Sequence, residues 1–110
     1  QPWELEDTVQ HWTRSRSADG LETIEAWMYA EFSEGQQYQS VHIAFIPQFA
    51  QEPTLTTNQL DGPNATIKVG ETRIYGARLE CKLDTPAIEY TQVMIHITAH
   101  GVVNKNSHAA

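Results

Sequence analysis

From Leu21 onward the chain is broken about every ten residues by Gly, Pro, Asn or Asp, and the runs between these breaks alternate apolar with polar side chains. That punctuation constrains the fold more than any other feature, because side chains repeating every two residues lie on opposite faces of a strand. Leu21–Phe32 reads as a first strand or pair of strands, followed by turn chemistry at Ser33-Glu34-Gly35. Val41, Ile43 and Phe45 alternate with His42 and Ala44 until Pro47, which has no amide proton to give a ladder. Pro53–Leu60 forms the next run, and Asp61-Gly62-Pro63-Asn64 is the strongest turn in the chain. Thr66–Val69, Thr72–Tyr75 and Arg78–Leu83 follow, separated by Gly70 and Gly76. Ile88–Ala99 closes the series with Val93, Ile95 and Ile97 on one face.

About six strands result, with no long helical pattern between them, so parallel βαβ units are excluded. The architecture that buries such strands is a six-stranded antiparallel β-sandwich, two sheets with their apolar faces about 10 Å apart. The 110-residue length suits one domain. We divide it into an N-terminal arm or short helix over residues 1–19, a sandwich over 20–101 and a tail over 102–110. In the arm, Trp3, Leu5, Val9 and Trp12 make an imperfect helical stripe that an extended, docked segment would fit equally well. A first residue of Gln rather than Met leads us to expect a processed or excised chain.

Fourteen acidic against seven basic residues give a net charge of −7, which argues against a nucleic-acid partner. No apolar run of 18 residues occurs, so no membrane insertion is expected. A single cysteine, Cys81, excludes an intrachain disulfide; its alternation with Leu79 and Leu83 places it on or beside their buried face. His96 and His100 are four apart, about 13 Å on a strand, too far to share one ion. His42 points away from the apolar face, and His11 and His108 fall in the terminal segments. No metal and no cofactor is therefore expected. Neither a Gly-x-Ser-x-Gly elbow nor a Gly-rich phosphate loop occurs, and the chain is expected not to be an enzyme. Asn64-Ala65-Thr66 is a glycosylation sequon, of consequence only in a secretory setting.

One further pattern carries a resemblance. Phe45, Phe49 and Pro53 fall at intervals of four, then come Leu60-Asp61, Ile67-Lys68-Val69, Gly76 opening a strand, and Ile97-Thr98-Ala99-His100-Gly101. This order resembles the H-type lectin domain of snail agglutinins and discoidin C-terminal domains, over roughly Gly20 to Gly101. The resemblance implies a parallel trimer that binds galactose or N-acetylgalactosamine in clefts between protomers. By that resemblance, Glu34 stands where an acidic residue accepts hydrogen bonds from sugar hydroxyls. Lys68 matches a basic residue supplied by the adjacent subunit. The loop Leu83-Asp84-Thr85-Pro86 falls where the family carries an aromatic ring and a polar neighbour; Leu83 replaces the ring, Asp84 is a carboxylate for sugar hydroxyls, and Tyr90 is a substitute aromatic.

Trp27, Tyr29, Tyr75 and Tyr90 offer amphipathic surface for subunit contact, and Met94 and Ile46 are apolar where a monomer would be polar. Two functions are carried forward. The first is a secreted or surface lectin that binds glycans multivalently as a homotrimer. The alternative is a structural trimerisation or attachment module of a larger secreted or virion-surface protein, with no sugar affinity.

Overall fold

The computed structural model describes residues 9–17 and 20–102. Among them the elements are β1 (Val9–Arg16), β2 (Leu21–Phe32), β3 (Tyr38–Ala44), β4 (Thr54–Asp61), β5 (Ala65–Arg73), β6 (Gly76–Leu83) and β7 (Thr91–Val102). A four-stranded sheet runs β1-β2-β7-β4 and a three-stranded sheet runs β3-β6-β5, with every pairing antiparallel. The all-β sandwich expected from the alternation is therefore present, with seven described strands rather than six.

The additional strand comes from the arm. Val9–Arg16 is extended and pairs with β2, so the second of the two readings of that segment is the one observed over these residues. An imperfect stripe cannot hold a helix when the neighbouring strand offers a ladder of hydrogen bonds. Residues 1–8 and 103–110 of the arm and tail lie outside the described residues, and β7 carries the fold on to Val102. Gly70 does not end a strand either. A bulge between Val69 and Glu71 absorbs it, and β5 continues to Arg73. A Cβ there would lie 3.0 Å from Arg78 Nη2 and 3.1 Å from Glu80 Oε2, so glycine lets these charged side chains cross the bulge closely.

β2 and β7 pair without a slip over twelve residues, from Leu21 with Val102 to Phe32 with Thr91. Met28 and Phe32 of β2 and Val93, Ile95 and Ile97 of β7 face inward and are buried with Val41, Leu79 and Leu83 of the other sheet, while Ile24 of β2 clusters with Ile43. One end of the core is lined with alanines, Ala26, Ala77 and Ala99, and the space they leave is filled by Phe45 and Phe49. These two rings meet edge to face, centroids 5.1 Å apart. Their loop is tied down by main-chain bonds from Phe45 N–H to Tyr75 O and from Phe49 N–H to Ile74 O, both 2.9 Å.

The predicted Asp61–Asn64 turn carries the chain from one sheet to the other. Gly62 has φ +103, and a Cβ on it would come 2.6 Å from Gln92 O, so both conformation and space require glycine. Gln59 Nε2 donates to Pro63 O at 2.6 Å and Gly62 O at 3.2 Å, while its Oε1 accepts from Ala65 N–H at 3.2 Å.

Beside Phe49 lies one buried charge. Glu22 is only 6% exposed and pairs with Arg14 and, at 3.5 Å, with Arg16. The Arg14 guanidinium also lies over the Phe49 ring, 5.3 Å from its centroid. The hydrogen bond from Arg14 outweighs desolvation and holds the Glu22 carboxyl below its ordinary value of 4.5. A depressed carboxyl stabilises the fold above its unfolded-state value and loses that contribution as pH falls through the folded value. Thermal melts should therefore show the wild type losing stability below about pH 4.5, and Glu22→Gln should show a shallower loss over the same range. Arg14→Leu, which strips the carboxylate of its main partner, should cost about 1–3 kcal/mol at neutral pH in denaturant titration.

Candidate functional site

Three surfaces collect the polar and aromatic groups singled out by sequence. The first is the end of the sandwich where β2 turns into β3. Glu34 is exposed in that turn, and the adjacent Gly35 N–H donates to Ala87 O at 2.6 Å while Ala87 N–H donates to Gln36 O at 2.9 Å. Asp84 is exposed in the β6–β7 loop, whose backbone accepts from Gln37 Nε2 at Leu83 O, 2.9 Å. The loops bearing Glu34 and Asp84 are thus bonded to one another.

Tyr90 is exposed just before β7. Its phenol is held above the usual tyrosine value by desolvation, then by the charge of Glu31 and a hydrogen bond to it. Leu83 does not join this surface: its side chain is buried in the core beside Phe32, where it packs rather than meets a ligand.

Lys68 lies elsewhere, on the outward face of the three-stranded sheet. The ladder sets Tyr38 opposite Lys82 opposite Thr66 in one row, and Ser40 opposite Glu80 opposite Lys68 in the next. These six residues, with Gln39, line an open groove of about 540 Å³ along the central strand β6. Tyr38 is 63% exposed, and the Lys82 ammonium stands 5.5 Å from the centre of its ring. Farther along the face, Arg78 contacts Glu80 at 3.3 Å and Glu71 at 3.5 Å, and Arg73 contacts Glu71 at 2.5 Å.

Sequence reasoning placed Lys68 in a binding role but missed Tyr38, Glu80 and Lys82 as its neighbours. The available signal was their alternation with Val41, Leu79, Cys81 and Leu83, which points them outward. What was not readable was the β3–β6–β5 register that puts them side by side.

The third surface is the outward face of the four-stranded sheet. Trp27 and His96 are cross-strand partners whose rings stack 5.0 Å apart, and Tyr29 faces Met94 in the next row. All four are half-buried within a single chain. His96 Nε2 is enclosed and has no hydrogen-bond partner among the described residues. His100, farther along β7, keeps its Nδ1 3.0 Å from Thr23 Oγ1. Ile46, by contrast, projects from the loop after β3 and is 73% exposed. Among the described residues no helix is long and apolar enough to cross a membrane.

No protein-family model matches the chain, and no curated protein matches it. Two solved structures share a distant likeness, each at 15% identity over 83% of this chain with a TM-score of 0.48. One is the C-terminal part of the P. aeruginosa R1 pyocin fiber, of which 28% is covered. The other is an N-truncated R1-type pyocin tail fiber, of which 85% is covered. The chain thus spans little more than a quarter of the first of these structures.

Cys81 borders the groove, but its side chain is turned into the core and is 2% exposed. Burial pushes its thiol up to about 11, so at pH 8 it is protonated and shielded. A disulfide reagent at pH 8 should leave the folded protein unlabelled and modify one thiol per chain once denaturant is added.

Proposed function

We propose that this domain is a structural attachment module of a larger secreted or virion-surface protein, and that it self-associates through the outward face of its four-stranded sheet. The observation that carries this reading is the row pair Trp27–His96 and Tyr29–Met94 at the middle of that face. Aromatic and methionine side chains at the centre of a patch, with polar groups at its rim, are the composition of protein interfaces. Here the rim is supplied by Thr23, Glu25, Glu31 and Thr98. His96 Nε2 is already closed to solvent within one chain, so covering the ring with a second copy costs no further dehydration there.

The size of the face supports the same reading. Two strands of twelve residues and two of eight, at about 3.4 Å per residue and about 4.8 Å per strand, give a sheet of about 650 Å². That plan area lies within the roughly 600–1,000 Å² per partner that a stable interface buries. The assembly we propose is a homotrimer, as the H-type lectin resemblance implies.

Light scattering should give three times the chain mass of 12.4 kDa. Met94→Glu and Tyr29→Glu, which set a charge at the centre of the patch, should each give a folded monomer by circular dichroism. A wild-type monomer at the highest soluble concentration overturns self-association. An oligomer that survives both substitutions overturns the choice of face.

Galactose-type recognition is a second reading, supported by the bonded Glu34 and Asp84 loops. It requires that N-acetylgalactosamine bind saturably and that Glu34→Ala abolish the binding. Failure of that titration leaves the attachment reading standing.

A further inference from the structure

The charges on the three-stranded sheet are not evenly compensated. Each of the four arginines, Arg14, Arg16, Arg73 and Arg78, has a carboxylate partner. The two described lysines differ from them. Lys82 faces the Tyr38 ring, and neither Lys68 nor Lys82 makes an ion pair with a described carboxylate. Glu80, the cross-strand neighbour of Lys68, is instead drawn to Arg78 at 3.3 Å. Both lysines therefore stand uncompensated in the same groove, on a chain whose net charge is −7.

From this we infer that the Tyr38–Lys68–Lys82 groove is a binding site for a short acidic saccharide. Two ammonium groups supply the attraction for a carboxylate or sulfate on the sugar, strengthened by hydrogen bonding to a charged acceptor. The exposed Tyr38 ring supplies an apolar platform for the C–H face of a pyranose. Ser40 and Thr66 hydroxyls and the Glu80 carboxylate supply donors and acceptors for ring hydroxyls.

A groove of about 540 Å³ lies within the usual range of ligand sites, and the β3-to-β5 span of about 10 Å leaves its ends open to a chain. The overall negative charge repels a long polyanion, which favours a ligand of few charges over a nucleic acid. The site lies within one protomer and on the opposite sheet from the proposed self-association face. It rests on neither reading above.

The test is a titration of the full chain by calorimetry with sialyllactose, tetragalacturonate and a chondroitin 4-sulfate tetrasaccharide, against neutral lactose and cellotetraose. Saturable binding of at least one acidic probe, with none of either neutral probe at the same concentration, is expected. Lys68→Ala and Lys82→Ala should each weaken that binding about threefold to fivefold, and added salt should weaken it further. Tyr38→Ala should weaken it about three- to tenfold. All three side chains are solvent-facing, so circular dichroism and the light-scattering mass should be unchanged in these variants. That separates failure at this groove from failure of self-association.

No binding of any acidic probe overturns the inference. So does binding that the Lys82→Ala and Tyr38→Ala variants retain in full. Binding of the neutral sugars equal to that of the acidic ones removes the role given to charge and overturns it as well.

Discussion

The pairing of β2 with β7 is the constraint on which the remaining structure depends. Both strands are twelve residues long, run in register without a bulge, and keep strict inward and outward alternation throughout. A slip of one residue would send Ile24, Met28 and Phe32 into water and draw Trp27 and Tyr29 into the core, so the register is strongly specified. β1 and β4 attach to the two outer edges of this pair, and the three-stranded sheet packs on its inner face. The same pairing sets Trp27 against His96 and Tyr29 against Met94 on the other side. Core and outward patch are two consequences of one register.

Much of this was legible because period-two alternation is a local property. The limits of β2 were readable from Leu21 to Phe32, and Asp61-Gly62-Pro63-Asn64 announced the turn between sheets. β1 was hidden for a physical reason. Its inward face at this end carries Arg14, whose burial is tolerable only because Glu22 of β2 lies beside it to receive it, while the more exposed Arg16 joins the same carboxylate from the rim. A strand that buries an ion pair instead of an apolar row has no apolar alternation to read.

Gly70 misled in the opposite sense, looking like a terminus while serving a bulge under Arg78. The candidate site was less legible than the fold. Glu34 and Asp84 do come to one end, through main-chain bonds between their loops and one from the Gln37 amide, none of which the apolar alternation encodes. Lys68 found partners in Tyr38 and Lys82 because β6 lies between β3 and β5, a fact of topology rather than spacing.

The two outward faces differ in chemistry in a way that a single isolated sandwich does not require. The four-stranded sheet presents rings and a thioether at its centre, whereas the three-stranded sheet presents lysines, arginines and carboxylates. Protein surfaces stay soluble by mixing charges, and a face whose described residues place no charge at its middle is therefore an exception to be explained. Salt bridges at the surface contribute little to stability, so the Arg73–Glu71–Arg78–Glu80 chain is better understood as taking up the carboxylates than as holding the sheet together. With Glu80 drawn to Arg78, Lys68 is left available.

That division of labour bears on how the two proposals combine. A groove this open, with about two ion pairs and one stacked ring, offers only weak binding per site, because exposed ion pairs are screened and the ligand must be ordered. Weak sites gain strength when several are held at fixed separation, since the second contact then forms at an effective concentration set by the scaffold. Self-association through the four-stranded sheet would supply that scaffold while leaving the three-stranded sheets pointing outward. A variant such as Met94→Glu should then keep the affinity of one groove for a short saccharide and lose only the enhancement seen on a surface bearing many copies. Comparing solution calorimetry with binding to an acidic-glycan-coated surface separates the two contributions. Equal losses in both formats would mean that the sheet face and the groove are not independent.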